Sequence, residues 1–309
     1  MKYFALLCAL VPLFVCSNEL SLQPPPFKGP LLSPSPYFPG KGHQQYEIYS
    51  SWTSRNSRFD QDWHSKSIRH FDTFLGFTIF KFGLSSRLEI DITPEWLYNY
   101  SQGPHNWRLG DCHFAFAIKL MEENPLANLG WPNIKLRLGT TIPFGKYDRL
   151  DPKKHLTDAG GLGTSDPSLA LLLGKYLHIT KNHWICMRAG YTFFFGTPVG
   201  IDGLSVYGDA ERIGHTVHLG NRWEVNWGFE ATLLGKFSLI GDLVASYKNS
   251  DHYSKLKHPS HSSLVFKVAP GLEYDFSEFI GILAGPAINF AGRNRDCDVT
   301  WMLAVKIHN

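Results

Sequence analysis

Charged side chains that recur at every second position, fourteen histidines, a glycine run and five cysteines are the residues of this chain able to do chemistry. Arg87, Glu89 and Asp91 alternate with Leu88, Ile90 and Ile92, and Asp111, His113 and Lys119 alternate with Cys112, Phe114, Phe116, Ile118 and Leu120. Lys135, Arg137, Arg188, Arg222, Glu224, Asp242, Lys267 and Glu273 hold the same phase in later segments. In an extended strand successive side chains point to opposite faces, so these charges share one face and the apolar residues the other. Such a set can pair internally, because an unpaired buried charge is costly, or it can line a narrow water-filled lumen and set a field across it. On the second reading Glu89, Asp91 and Asp111 stand opposite a basic wall of Lys135, Arg137 and Arg188. If that wall faces water, changing all three basic residues to Gln should leave folding nearly intact and shift ion preference toward cations.

No catalytic signature accompanies the charges. There is no His-Glu-x-x-His, no Gly-x-Ser-x-Gly, and Gly160-Gly161-Leu162-Gly163-Thr164-Ser165 lacks the lysine of a phosphate loop. That run reads as a flexible loop, or as a constriction loop folded into a lumen where glycine permits close backbone approach. Most histidines fall in expected loops (His43, His64, His105, His155, His215, His252, His258, His261) without paired ligand spacing. No metal or cofactor is expected. The enzyme alternative is an outer-membrane lipid hydrolase, with His113 or His218 beside a serine. Cys8 and Cys16 belong to a leader, Cys112 and Cys186 to strands and Cys297 to a loop, which gives neither a disulfide framework nor a zinc site.

The elements that must position these charges are strands. From Val217 to Leu233 nine residues, among them Trp223, Val225, Trp227 and Phe229, fall on one face, while Arg222, Glu224, Asn226, Glu230 and Thr232 fall on the other. The same alternation places strands near 44–55, 65–81, 86–98, 107–121, 133–143, 168–179, 183–196, 215–233, 237–248, 262–276, 279–290 and 298–308. Tight gaps such as 82–85, 180–182, 234–236 and 277–278 alternate with long ones at 144–167, 197–214, 249–261 and 291–297. Charged residues are 18% and aromatics 14%, and the mean hydropathy is −0.17, which suits strands apolar on one face only. The fold class implied is all-β: a transmembrane antiparallel β-barrel of about twelve strands, with short periplasmic turns and long extracellular loops. No stretch approaches the roughly 18 apolar residues of a spanning helix. A net charge of +3 without a run of like charges argues against a nucleic-acid partner; the expected partners are outer-membrane lipid and small-molecule solutes.

Lys2, the apolar stretch Phe4 to Val15 and Val15-Cys16-Ser17 read as a signal peptide over 1–17, with acylation of Cys16 as the alternative. Residues 18–43 contain Pro24, Pro25, Pro26, Pro30, Pro34, Pro36 and Pro39, a density that forbids ladder pairing and marks a tether. It can lie in the periplasm or tuck into the barrel mouth. The barrel then spans 44–309.

Leu109-Gly110-Asp111, the stretch Leu136 to Tyr147 containing Thr141-Ile142-Pro143-Phe144-Gly145, and Gly163-Thr164-Ser165-Asp166-Pro167 carry a resemblance. Over Phe71 to the carboxyl terminus, and best over 107–191, the chain resembles the outer-membrane transporters named after the meta-pathway of phenol degradation. The resemblance implies a channel for passive diffusion of small, apolar or aromatic solutes, with no covalent step. A closed structural or partner-binding barrel is the second reading. Members of such families usually end on an aromatic residue, whereas this chain ends Lys306-Ile307-His308-Asn309.

Overall fold

Inward charge and outward hydrocarbon determine the architecture. The computed structural model describes residues 24–25, 27–125, 130–180, 183–253 and 261–308; the signal-peptide segment 1–17 and His258 lie outside the described residues. In chain order the strands are β1 (Gln44–Phe59), β2 (Ser65–Gly83), β3 (Leu88–Tyr100), β4 (His105–Met121), β5 (Asn133–Ile142), β6 (Ser168–Thr180), β7 (His183–Phe194), β8 (Pro198–Ser205), β9 (Gly208–His218), β10 (Arg222–Leu234), β11 (Phe237–Lys248), β12 (His252–Tyr253), β13 (Ser263–Asp275), β14 (Ile280–Arg293) and β15 (Arg295–His308). Twelve of them form one closed antiparallel barrel, and β8, β9 and β12 form a separate three-stranded sheet. Closure is by β1 on β15, paired from Gln45 opposite His308 to Phe59 opposite Arg295 with a bulge between Arg55 and Ser57. All backbone groups of the wall can then bond to a neighbouring strand without an open edge.

The molecule is inside out relative to a soluble sandwich. Val225, Leu303 and Trp301 are 51%, 44% and 57% exposed, whereas Glu89, Glu230 and Lys135 are 0%, 0% and 1% exposed. Water would not tolerate such an outer face, and a bilayer favours it. Cross-strand aromatic groups ring both ends of this band. Trp96, Trp107 and Tyr98 stack at 5.0–5.2 Å on β3 and β4, and Phe193, Trp223 and Tyr247 at 5.4 Å on β7, β10 and β11. Phe237, Tyr274 and Phe276 do the same at the opposite end. Both termini of the barrel lie at that opposite end, where Gly235 (φ 55°) supports a tight turn between β10 and β11; it is called the turn end below, and the other the loop end.

Two boundaries differ from the sequence reading. The alternation from Val217 to Leu233 is not one strand: β9 ends at His218 and β10 begins at Arg222. Between them Asn221 accepts the Gly196 amide at 2.8 Å, and Gly220 packs so close to Asn249 that a Cβ would lie 2.3 Å from its carbonyl oxygen. Val217 therefore sits in the small sheet's core with Val199 and Ile201 rather than on the lipid face. The second difference is the expected long loop 291–297, which is a hairpin turning on Asn294 alone (φ 53°), a residue type that tolerates the left-handed region. Cys297 is thus a strand residue of β15, its thiol 3.7 Å from the Asn289 carbonyl.

The connections 144–167 and 195–221 fold over the barrel as a lid. Residues 144–167 are pinned to the wall: Asp111 accepts the amides of Gly145 (2.9 Å) and Leu162 (3.0 Å), and Asn99 donates to the Ala159 carbonyl (2.8 Å). Gly161 permits this, since a Cβ there would lie 2.2 Å from Asp111 Oδ1. Of the two sequence readings of the glycine run, the folded-in loop is the one observed. The β8–β9–β12 sheet joins the lid through backbone bonds from Arg149 and Leu150 to Asp202 and Leu204, and through Tyr207, whose hydroxyl donates to the Leu162 carbonyl at 2.6 Å.

Candidate functional site

The stretch 27–40 of the proline-rich segment lies inside the lumen. It rises from the turn end at Lys28, reaches mid-height at Leu32 and Ser33, and returns past Tyr37 to Gly40, whose carbonyl packs against Gly83. Prolines leave it few amides and no ladder, so most of its buried backbone groups must find side-chain partners on the wall. The wall supplies carboxylates for amides: Glu273 accepts from Lys28 (3.0 Å), Glu230 from Gly29 (2.6 Å), and Asp242 from Leu32 (3.1 Å) and Ser33 (2.9 Å). Lysines serve the carbonyls. Lys306 Nζ donates to those of Lys28 (2.9 Å) and Gly29 (3.3 Å), and Lys135 Nζ to those of Ser35 (3.1 Å) and Tyr37 (3.2 Å). Apolar side chains complete the plug: Leu31 packs with Tyr49, Ile240, Leu283 and Ala304, and Phe27 with Trp184 and Cys186. Phe38 lies 4.3 Å from the Lys135 ammonium and 5.4 Å from that of Lys119.

The charged residues singled out in the sequence are mostly paired within the wall. Lys135 reaches Glu89 at 2.7 Å and Arg137 reaches Asp91 at 3.1 Å, both across β4, where Ala115 and Ala117 leave room. Arg188 meets Glu230 at 2.6 Å. Lys135 and Arg137 are therefore ion-paired with Glu89 and Asp91 two strands away and Arg188 with Glu230 on the neighbouring strand, not opposed walls of a pore, and Asp111 is a loop anchor at the barrel's mouth. Because the Lys135–Glu89 and Arg188–Glu230 pairs are buried, the triple Gln substitution is expected to damage folding, contrary to the sequence expectation. Lys119 pairs with Glu122 at 3.1 Å, and Arg222 with Asp166 at 3.5 Å while lying 3.7 Å over the Phe194 ring. Asp242 and Glu273 bind the plug, Lys267 lines the lumen, and Glu224 shares the face of β10 that carries the buried Asn226. Arg87 is corrected: the chain bends through Ser85–Arg87 before the ladder begins at Leu88, which leaves Arg87 exposed in the turn.

Above the plug two cavities follow one another. The inner one, of about 440 Å³, has Leu31–Ser35 as its floor, and the outer one, of about 820 Å³, lies under the lid beside Asp111, Gly160 and Gly161; Thr53 borders both. His113, one of the two hydrolase candidates, bonds Thr141 Oγ1 (2.7 Å) and Glu95 (3.1 Å) and has no serine at hydrogen-bond distance; His218 lies beside His252. Among the described residues no group of histidine, cysteine and carboxylate side chains could hold a metal. Sequence reasoning left the tether between the periplasm and the barrel mouth, because the partners that fix it in the lumen are up to 278 residues away; the one available signal was the excess of inward charge.

No family model matches the chain, and no curated protein sequence matches it. Solved structures do. The COG4313 outer membrane channel from Pseudomonas putida F1 superposes with a TM-score of 0.64 at 10% identity, covering 94% of this chain and 100% of that one. The translocator domain of autotransporter NalP from Neisseria meningitidis gives 0.46 at 10% identity, covering 87% and 88%, and the NanC porin 0.45 at 8% identity, covering 85% and 98%. At these identities the likeness is one of fold: the chain has the barrel of an outer-membrane protein.

Proposed function

We propose that this chain is an outer-membrane channel of the transporter family named after the meta-pathway of phenol degradation, with its loop end outside the cell and its lumen closed from the periplasmic side by its own N-terminal segment. The observation that carries the reading is the pair of adjoining cavities leading from beneath the lid to the plug. A barrel serving only as a scaffold needs no such interior. The plug is joined to the wall by side-chain bonds to its backbone rather than by a strand ladder, so it can withdraw without opening the barrel. Leu75, Phe77, Ile79 and Met302 give the inner cavity an apolar strip suited to apolar or aromatic solutes. No residue acts covalently; passage is by diffusion, filtered by size and charge. Osmotic swelling of vesicles carrying the refolded protein tests this. Glycine should enter faster than into protein-free vesicles, and benzyl alcohol should slow it by occupying the apolar strip. Swelling equal to that of protein-free vesicles, with a native barrel, would favour the closed scaffold.

A further inference from the structure

We infer that the inner cavity is a binding site for small organic anions with an apolar body, of the aromatic carboxylate class. The inference rests on the channel reading and names its solute. The cavity's two sides differ in chemistry. On one side β15, β1 and β2, which are neighbours in the wall, present Met302, Tyr49, Leu75, Phe77 and Ile79, with the Tyr49 and Phe77 rings stacked at 4.6 Å. The rest of the wall is cationic, with Lys267 from β13, Arg188 from β7 and Lys135 and Arg137 from β5, while Lys81 of β2 and Lys306 of β15 stand nearer the turn end on the same strands as the apolar residues.

These cations are not fully matched. Glu47 and Asp91 are the carboxylates that line the cavity, Glu89 and Glu230 stand behind Lys135 and Arg188, and Asp298 lies within reach of the charge of Lys267 without contacting it, which makes five against six. Lys81 and Lys306 share Glu47. Asp242 and Glu273 are turned to the amides of the plug and do not line the space. Lys267 forms no hydrogen bond or ion pair among the described residues. The carboxylate its charge acts on, Asp298, is held by Asn289 Nδ2 at 2.6 Å. An ammonium facing an enclosed space without a partner is unfavourable unless an anion joins it. About 440 Å³ lies within the roughly 300–1,000 Å³ of small-molecule sites. A carboxylate beside Lys267 of β13 would leave its ring toward Met302, Tyr49 and Phe77 on the nearby β15, β1 and β2.

The test uses full-length protein in detergent micelles and fluorine NMR of 4-fluorobenzoate and of its neutral counterpart 4-fluorobenzyl alcohol. The benzoate should bind about tenfold more tightly, the order expected of one charge-assisted contact. Lys267→Met should erase that preference while leaving the alcohol's affinity unchanged, and Lys267→Arg should keep it. Equal affinity for the two probes in the unaltered protein would overturn the proposal, as would a Lys267→Met protein that migrates as a native barrel and still prefers the anion. Should Lys267→Met fail to fold, the comparison of probes on the unaltered protein decides alone. Binding is read without transport, so its loss leaves the channel reading standing on vesicle swelling, and absent swelling with binding intact rejects the channel alone.

Discussion

Lys135 joins wall and plug at one atom, and its removal has a cost that the structure breaks into parts. Its ammonium contacts Glu89 at 2.7 Å and the carbonyls of Ser35 and Tyr37 at 3.1 and 3.2 Å, and both Lys135 and Glu89 are essentially without solvent contact. Lys135→Met strands a buried carboxylate, which costs about 3–5 kcal/mol. The two orphaned carbonyls add about 1 kcal/mol each, so the single variant should lose about 5–7 kcal/mol. In the double variant Lys135→Met, Glu89→Leu the charge penalty disappears, since an apolar pair of similar volume replaces a buried ion pair at little net cost. There the carbonyls remain, and the loss should fall to about 2 kcal/mol. Urea unfolding in phospholipid vesicles, followed by tryptophan fluorescence, gives both values. A single variant costing under about 1 kcal/mol, or a double variant as unstable as the single, would refute the assignment of Lys135 as the shared partner of Glu89 and the plug.

Three further outcomes are expected. Val225→Arg, on the exposed apolar face of β10, should cost about 2–4 kcal/mol in the same assay, and a cost near zero would mean that this face does not meet hydrocarbon. Gly161→Val would place a side-chain carbon on Asp111 Oδ1 and force the lid loop off its anchor, so trypsin should cut at Lys153 and Lys154 faster than in the unaltered protein; an unchanged rate would show that the lid is held elsewhere. Burial alone would raise the carboxyl of Asp158, but the Lys146 ammonium at 2.9 Å and the Asp151 amide prevail and hold it below its ordinary 3.8. A depressed acid stabilises the folded lid above its unfolded value and loses that contribution as pH falls through the folded one. Hydrogen exchange over 145–162 should therefore stay slow down to about pH 4 and quicken below it; quickening near pH 6 would mean that a group other than Asp158 governs the acid loss of the lid.

The wall was legible in the sequence because a membrane strand is specified residue by residue: hydrocarbon takes one face and the lumen the other, whatever the neighbours are. Trp223, Val225 and Trp227 show this in β10. Boundaries failed where the chain kept its phase while changing partners, as between Val217 in the lid core and Trp223 on the wall, or where a single residue makes the turn, as Asn294 does. The site was legible only in part. Alternation places Glu89, Lys135 and Arg188 inside, but pairing across β4 depends on Ala115 and Ala117, and on register that no local pattern carries. The plug has no period at all. Its recognition by Glu273, Glu230, Asp242, Lys135 and Lys306 is distributed over five strands, and it becomes visible once the barrel closes.

That the N-terminal segment closes a conducting lumen is tested most directly by planar-bilayer conductance of the full chain beside a form lacking residues 24–38. The full chain should show small or rare openings, and the shortened form a steady current several-fold larger, because the wall charges then face an open, water-filled path. Equal currents from both forms, or none from either with native barrels on gels, would contradict it.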